Sequence, residues 1–397
     1  MKRIALGAIT NYLNSIHPFM NFIANARAHG YELDRLIICY SHGYKTQCLE
    51  RLQQTVNVNL IQLNYDPDLR EELKTAGLSK KEIEFFLRTP EFDYHRLIPY
   101  GKRRNLVLLK ALIIEPKIDY LFFIDTDVKP RLLLSAAGNT RVINFFGRHL
   151  FNLEKENVAI TTSDYSGYYI IPPLKFKGVK KLLTGLQKSK AYPKVKNLKN
   201  NLYLADPEQN NIRKTNKILG GNHALDLNYI KKLCPYYSTS YIYKRELYLG
   251  RGEDTLLGIE ARNCKKNNII DIDTPIFHDL YGNFPKKPDI KDKNVQKRLF
   301  YACTGWLGRN PFLNWYLKEK NIISREEFKN RYKTQKDALK IGAPLLSKYA
   351  QNDDFNLLPE MFSAAWLQLD QMVENYEDLS ENWNSVSDKI IERRKTL

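Results

Sequence analysis

The chain has 397 residues and a formal net charge of +18, with 43% hydrophobic and 12% aromatic residues. This composition excludes a disordered protein, and the length suffices for one large domain or two ordinary ones. No apolar run is long enough to cross a bilayer, and the five cysteines lack the CxxC spacing of a zinc cluster. We therefore expect a globular cytoplasmic protein with reduced cysteines, and the basic charge leaves a peripheral contact with the inner face of an anionic membrane open.

The first part of the chain alternates apolar runs with segments of helical spacing. Strands are predicted at 3–9, 33–40 and 56–63. Helices are predicted at 18–29 and 45–54. Because this alternation requires crossover connections, we expect an α/β fold with a mostly parallel sheet flanked by helices. The polar segment 66–100 is expected to be an inserted helix or a long loop near the site.

The next helix, predicted at 101–115, leads to an apolar strand that ends at Asp125 and Asp127. Side chains two positions apart in an extended chain point the same way, so both carboxylates can face one spot at the carboxyl end of the strand. Close carboxylates repel unless a cation lies between them, and Mg²⁺ and Mn²⁺ prefer oxygen ligands, often shared with substrate phosphates. The pair predicts a metal–diphosphate site, and a solvated Asp-Thr-Asp turn is the alternative.

The strand and helix pattern continues less regularly and then gives way to helices alone. Strands are predicted at 157–164 and 268–272, helices at 227–233 and 253–264, and loops with a helix at 176–216. From about residue 289 onward only helical spacing is found, at 299–316, 325–339, 344–349 and 359–375. We expect a catalytic α/β domain over 1–288 and a helical C-terminal region over 289–397.

The densest basic stretch, 175–199, contains many lysines and no acidic residue. Proteins that read nucleic acid prefer arginine for bidentate contacts, so we expect no nucleic acid as a partner. The stretch is interpreted either as a solvated face or as a patch that contacts anionic lipid or an acidic acceptor.

Two further segments carry groups that could bind a cation or an acceptor. His278 follows the strand at 268–272 and could complete a metal site, or it could satisfy a local turn. Glu253 and Asp254 begin the helix at 253–264, where the helix dipole stabilises acids. They are interpreted either as a helix cap or as a group that meets an acceptor hydroxyl.

Two other segments could bind an anion or a sugar. The basic cluster with Lys102 and Arg104 begins the helix at 101–115, where positive charge is unfavourable unless an anion binds there, and a solvated face is the alternative. Gly221 and Asn222 lie in a glycine-containing turn that permits close approach of the backbone to a ligand, and an ordinary tight turn is the alternative.

In this order, the segments resemble the nucleotide-sugar glycosyltransferases of the Rossmann-like GT-A fold, including family 2 type enzymes and the mannosylglycerate synthases. The resemblance covers about residues 3–285 and is carried by the Asp-x-Asp motif at 125–127 and the segments 252–256 and 278–282. It implies metal-dependent transfer of a sugar from a nucleoside diphosphate donor to an acceptor hydroxyl, in glycan or glycoconjugate synthesis, with Mn²⁺ or Mg²⁺ as cofactor.

The resemblance also implies residue roles. The metal group would be Asp127 as a direct ligand, His278 to complete the shell, and Asp125, which also contacts the ribose or the donor sugar. The donor would be bound by Thr10, Asn11, Tyr12, Lys102, Arg104, Asn105, Gly221 and Asn222. Asp254, with Glu253 beside it, would meet the acceptor, as a general base if configuration inverts and as an orienting group if it is retained.

Two alternatives remain open at this point. A sugar nucleotidyltransferase also pairs aspartates with Mg²⁺, although no glycine-rich segment follows the first strand. A non-catalytic basic module that binds membrane or nucleic acid is the other alternative, and it would show no metal-dependent turnover of a sugar nucleotide. The sequence also leaves a homodimer open.

Overall fold

The computed structural model describes residues 2–63, 65–88, 99–208, 211–229, 234–263, 268–330 and 332–396. The strands are β1 (Ile4–Leu13), β2 (Arg35–Tyr44), β3 (Val58–Gln62), β4 (Tyr120–Ile124), β5 (Val128–Lys129), β6 (Arg131–Leu133), β7 (Thr140–Val142), β8 (Val158–Thr162), β9 (Tyr165–Tyr168), β10 (Leu202–Tyr203), β11 (Arg213–Lys214), β12 (Asn222–Asp226), β13 (Ser240–Tyr243), β14 (Glu246–Leu249), β15 (Asn268–Asp271) and β16 (Ile276–His278).

The helices fall into one set around the sheet and a second set at the C-terminus. The first set is α1 (His17–Ala28), α2 (Thr46–Gln53), α3 (Pro67–Thr75), α4 (Lys80–Leu87), α5 (Tyr100–Ile113), α6 (Phe145–Leu153), α7 (Val179–Gly185), α8 (Tyr192–Lys196), α9 (Leu198–Asn201) and α10 (Glu253–Asn263). The second set is α11 (Lys293–Asn314), α12 (Arg325–Asn330), α13 (Lys333–Ala350), α14 (Leu358–Leu367) and α15 (Leu369–Thr396).

The central sheet has eight strands in the order β11-β15-β8-β12-β4-β1-β2-β3. The strands β4, β1, β2 and β3 run parallel to one another, and β8 runs parallel to β15. Strand β12 is antiparallel to both β4 and β8 and joins the two parallel groups, while β11 is an antiparallel edge strand. The predicted fold class, a mostly parallel sheet flanked by helices with a helical C-terminal region, is confirmed.

Strand β4 is buried on both faces, which explains its continuous apolar run. Leu121 and Phe123 pack with α5 on one face, and Phe122 and Ile124 pack with α1 and α6 on the other. The apolar run of β4 ends at Ile124, where the strand leaves the two layers of helices that cover it. Asp125 and Asp127 follow directly after this point.

The C-terminal helices form a third apolar core with α7, and α15 also joins the core that contains α4 and α5. Helix α15 reaches α4, where Glu82 accepts hydrogen bonds from Ser385 at 2.7 Å and from Lys389 at 2.7 Å and 2.9 Å. Near the end of α15, Arg394 donates to the carbonyls of Leu112 at 3.1 Å and Ile118 at 2.7 Å. The domain boundary near residue 288 stays a prediction.

The structure corrects two predictions about elements. The segment before residue 227 is the central strand β12, and the helix predicted at 227–233 falls largely on 230–233, which lie outside the described residues. Strand β12 was missed because His223 looks polar, yet it is fully buried, with its ring nitrogens at 2.9 Å from the Leu219 carbonyl and 2.7 Å from the Tyr236 hydroxyl. Helix α13 continues through Pro344, where the sequence suggested a new helix.

The polar segment 66–100 contains α3 and α4, and its residues 89–98 lie outside the described part of the chain. Among the described residues, no helix combines the length and the apolar character that a membrane crossing requires.

Candidate active site

A cavity of about 500 Å³ lies at the carboxyl ends of β4 and β16 and the start of α10. Six residues singled out from the sequence line it: Arg104, Asp125, Asp127, Glu253, Asp254 and His278. The fold thus brings together groups that are up to about 170 positions apart in the chain, as the strand-end rule for open α/β sheets predicts.

Sheet pairing places Asp127 beside His278. Strand β5 pairs with β16 so that Val128 lies opposite His278, and the Asp279 amide donates to the Asp127 carbonyl at 3.0 Å. The side chains meet with His278 Nε2 at 3.1 Å from Asp127 Oδ1, and Arg298 Nη1 lies 3.7 Å from Asp127 Oδ2. Burial raises the pKa of the Asp127 carboxyl, but the imidazole of His278 outweighs it and the pKa lies below its ordinary value. Burial lowers the pKa of His278, but Asp127 outweighs it and the pKa is raised.

Asp125 has different partners. Its Oδ1 accepts a hydrogen bond from Arg104 at 3.1 Å, and its Oδ2 accepts one from the Tyr165 hydroxyl at 3.2 Å. The same hydroxyl accepts from the Gly221 amide at 2.7 Å. A Cβ atom at Gly221 would lie 2.5 Å from the Asp125 carboxylate, so this position requires glycine. Gly221 therefore adjoins the Asp125 side chain directly.

Arg104 is a buried bridge between two acids. Its guanidinium donates to Asp125, to Glu253 Oε1 at 3.2 Å and to the Gly220 carbonyl at 2.7 Å. Burial lowers the pKa of Arg104, but Asp125 and Glu253 outweigh it and raise the pKa above its ordinary value. Burial, together with the neighbouring Asp254, raises the pKa of Glu253. Because each of its three guanidinium nitrogens donates to a protein acceptor, Arg104 is suited to positioning Asp125 and Glu253.

Asp254 faces the cavity and differs from the other carboxylates. Its Oδ2 accepts from the Gly220 amide at 2.9 Å, and its Oδ1 accepts from the Thr255 amide at 2.7 Å. Within the described residues no Lys, Arg or His lies within 4.0 Å of it, whereas such a pair holds Asp125, Asp127 and Glu253. Among the described residues, Asp254 is therefore the cavity carboxylate without a cationic partner, and its role towards an acceptor hydroxyl stays a prediction.

Three predicted donor residues lie at the end of β1, outside the lining of the cavity. Arg103 fixes this segment, because it donates to the Thr10 carbonyl at 2.7 Å and to Asn11 Oδ1 at 2.8 Å. Tyr12 is 43% exposed, so its ring is accessible to a ligand. Their roles in binding a nucleoside stay predictions.

Three other predicted donor residues, Asn105, Asn222 and Lys102, form hydrogen bonds with backbone groups of the protein. Asn105 exchanges hydrogen bonds of 2.9 Å and 2.8 Å with the backbone of Tyr236. Asn222 is fully buried and donates to the Asp164 carbonyl at 2.9 Å. Lys102 donates to the Arg88 carbonyl, and burial lowers the pKa of its amine to about 8. None of the three lines the cavity, so their roles in donor binding also stay predictions.

Lys188 lines the cavity and comes from the basic stretch 175–199, which was interpreted as a solvated face or as a patch for anionic lipid or an acidic acceptor. Other cavity residues were not anticipated, and they are Tyr100, Tyr165, Tyr169, Arg251, Arg298, Tyr301, Trp306 and Arg309. Arg251 was adjacent to the recognised segment 252–256 and could have been found there, whereas Arg298, Tyr301, Trp306 and Arg309 all lie on α11. Helix α11 thus forms part of the cavity wall, which its amphipathic pattern alone does not reveal.

Asp127 and His278 are the pair of side chains whose spacing fits two neighbouring ligands of a divalent cation. Neighbouring ligands in an octahedral shell with bonds of about 2.1–2.2 Å are about 3 Å apart, and Asp127 and His278 have this spacing, with 3.1 Å between their nearest polar atoms. No group of three His, Cys, Asp or Glu side chains in the described part of the chain is arranged to hold a metal by itself. The metal site of Asp127, Asp125 and His278 thus stays a prediction. Two of its three members, Asp127 and His278, lie side by side.

Comparison with known proteins found solved structures of low similarity. No family model matches the chain, and a search of curated proteins found no match. A solved mycobacterial protein is 12% identical, with 78% of this chain and 74% of that chain covered and a TM-score of 0.37. The glucosyl-3-phosphoglycerate synthase of Mycobacterium tuberculosis, in complex with Mn²⁺, uridine diphosphate and glucosyl-3-phosphoglycerate, is 13% identical, with 78% and 80% covered and a TM-score of 0.36. The same synthase with Mn²⁺ and UDP-glucose is 12% identical, with 78% and 79% covered and a TM-score of 0.36.

Proposed function

We propose that the chain is a metal-dependent glycosyltransferase that moves a sugar from a nucleoside diphosphate donor to an acceptor hydroxyl. The observation that supports this best is one cavity that contains both the Asp125, Asp127 and His278 side chains and the separate carboxylate of Asp254. The first group suits a cation and a diphosphate, and the second suits the proton of an attacking hydroxyl.

On the donor side, Asp127 and His278 would hold Mn²⁺ or Mg²⁺, and diphosphate oxygens would complete the shell. When bound, the cation neutralises the charge that develops on the diphosphate leaving group. Asp125, fixed by Arg104 and Tyr165, keeps free lone pairs that can accept hydrogen bonds from hydroxyls of the ribose or the donor sugar.

The transfer exchanges one bond for another at the anomeric carbon. The bond from this carbon to the diphosphate oxygen breaks, and its electron pair leaves with the nucleoside diphosphate. A new bond forms to the acceptor oxygen, whose proton passes to Asp254 in an inverting reaction. In a retaining reaction the proton leaves with the diphosphate, and Asp254 orients the acceptor. The anomeric configuration of the product, measured by NMR, distinguishes these two roles.

The test is a screen of sugar nucleotides for turnover with Mn²⁺, with Mg²⁺ and with chelator. We expect turnover of one nucleotide sugar only with a divalent cation, and we expect Asp127→Asn to lower it by about 10³-fold or more. The matched control is Asp164→Asn, because Asp164 is an acid at the end of β8 that pairs with Lys217 and does not line the cavity. Equal turnover with chelator, or in Asp127→Asn, would contradict the proposal.

A further inference from the structure

Three cations on one part of the cavity wall have no carboxylate partner. Lys188 Nζ lies 4.6 Å from the ring centroid of Trp306, and Arg251 Cζ lies 5.5 Å from that of Tyr301. Among the described residues, Arg309 Nη1 donates a single long hydrogen bond of 3.5 Å, to the Arg251 carbonyl. Within the described residues, no ion pair of 4.0 Å or shorter joins any of the three to an acid, although acids of the same cavity are paired.

This arrangement costs free energy in the absence of a ligand. Burial, with Arg309 and Arg251 nearby, lowers the pKa of Lys188 to about 7. Burial also lowers the pKa of Arg309, and its Nε is a buried donor without a hydrogen-bond acceptor. Burial lowers the pKa of Arg251 too, but Tyr100, Tyr301, Glu253 and Asp254 outweigh it and raise the pKa. The unfavourable charges are therefore those of Lys188 and Arg309, and an anion that supplies acceptors and opposite charge suits these two.

A second cavity of about 530 Å³ shares Tyr169 and Lys188 with the first. Its described lining includes Lys190 and Lys194 and contains no acidic residue. Lys194 Nζ lies 4.4 Å from the ring centroid of Tyr203 and 5.6 Å from that of Tyr169. A continuous row of positive charge therefore leads from the first cavity through Lys188 to Lys190 and Lys194 in the second cavity.

We propose that the acceptor is an extended anionic glycan, which carries phosphate or carboxylate groups on successive units. This inference rests on the proposed function and names the class of its acceptor. One anionic group binds Lys188, Arg251 and Arg309 beside the transfer site. The next units lie in the second cavity, where Lys190 and Lys194 hold the following charge and Tyr169 offers a ring face.

A glycan fits this path better than a membrane surface. Arg251 and Arg309 line the catalytic cavity, where the planar surface of a bilayer does not reach. The second cavity is concave and lined by Thr184, Gln187 and Ser189 between its lysines, which are groups that hydrogen-bond to sugar hydroxyls.

The test measures binding of three oligosaccharide probes of matched length: oligogalacturonate, oligo(glycerol phosphate) and a neutral malto-oligosaccharide. The wild type should bind at least one anionic probe and not the neutral one, and the preferred probe tells carboxylate from phosphate. Lys190→Glu/Lys194→Glu should weaken this binding by about tenfold or more. Lys80→Glu/Lys81→Glu makes the same change in charge on α4, away from both cavities, and should weaken it by less than about twofold.

The proposal is overturned if both double variants lose binding equally, if the neutral probe binds as well as the anionic ones, or if the lysines are needed for anionic vesicles and for no glycan. Binding of nucleoside diphosphate with Mn²⁺ is measured in parallel and should be unchanged in Lys190→Glu/Lys194→Glu. If the wild type does not bind nucleoside diphosphate with Mn²⁺, the proposed function is contradicted. If Lys190→Glu/Lys194→Glu alone loses binding of the anionic probes, binding of an anionic glycan in the second cavity is supported, whether or not the wild type binds the nucleotide.

Discussion

The two halves of the cavity handle charge in opposite ways. On the side proposed for the donor, Asp125 pairs with Arg104, and Asp127 Oδ1 lies 3.1 Å from His278 Nε2. On the acceptor side Lys188, Arg251 and Arg309 have aromatic rings or backbone nearby and no acid within 4.0 Å among the described residues. The carboxylates on the side proposed for the donor are therefore held by groups of the chain itself, whereas Lys188 and Arg309 on the side proposed for the acceptor are buried with no acid in contact among the described residues. An anionic ligand, as proposed, would compensate these two charges.

The strongest test of this contrast removes the bridge on the donor side. Arg104→Met should lower the free energy of unfolding by about 3–5 kcal/mol, because Asp125 and Glu253 then lose their shared cation. Urea denaturation measures this loss. Adding Glu253→Gln should restore part of it, since one uncompensated charge is removed. The control Arg131→Met, an exposed arginine on β6, should cost less than about 0.5 kcal/mol, and an equal loss there would contradict the account.

A compensated pair far from the cavity provides a reference with a defined pH dependence. Burial raises the pKa of Glu82, but its hydrogen bonds with Lys389, Ser385 and Ser79 outweigh this and lower it to about 2. Because the folded-state pKa is depressed, the stabilisation is full above the unfolded pKa of about 4.3 and is lost as pH falls towards 2. Glu82→Gln should cost about 2 kcal/mol at pH 7 and progressively less below pH 4, as measured by urea unfolding at each pH. A difference that does not change with pH would contradict this.

A smaller effect is expected from the hydroxyl that orients Asp125. Tyr165→Phe removes the hydrogen bond to Asp125 and the acceptor of the Gly221 amide, and should lower the transfer rate by about tenfold. The matched control is Tyr168→Phe, three residues along, whose hydroxyl donates to the Pro285 carbonyl at 3.3 Å. Steady-state rates with saturating donor check this, and equal losses in the two variants would refute a specific role for Tyr165.

The acceptor side predicts a change of the opposite sign. Lys188→Met should raise the free energy of unfolding by about 1 kcal/mol, because it removes an uncompensated buried cation, while weakening the anionic probes. The folded-state pKa of Lys188 is depressed to about 7, so its penalty is absent above the unfolded pKa of about 10.4 and grows as pH falls towards 7. Urea unfolding at pH 7 and pH 10 should therefore give a larger gain at pH 7. A loss of stability in this variant would contradict the contrast.

The sequence predicts the donor side far better than the acceptor side. The β4 strand and its two aspartates are contiguous, so a local pattern suffices there. His278 was noticed because it follows the strand predicted at 268–272, although it ends a separate strand, β16, that was not predicted. Lys188 and Arg309 come from separate helical regions, and only packing of α11 beside the sheet brings them together. Strand β12 was not predicted because Asn222 and His223 are polar residues in a buried strand. Their hydrogen-bond partners are distant in sequence or across a turn, so the sequence did not indicate that they could be buried. The hydrogen bond from Asn105 to the Tyr236 carbonyl likewise joins positions that are far apart in the chain, so the sequence did not indicate it, and the role of Asn105 in donor binding stays a prediction.

The most direct test of the central claim is the anomalous scattering of Mn²⁺ in crystals grown with a nucleoside diphosphate. The account predicts a single strong peak within bonding distance of both Asp127 and His278, with diphosphate oxygens completing its coordination. A bound nucleotide with no peak at these two side chains, or with the manganese at other residues, would contradict it.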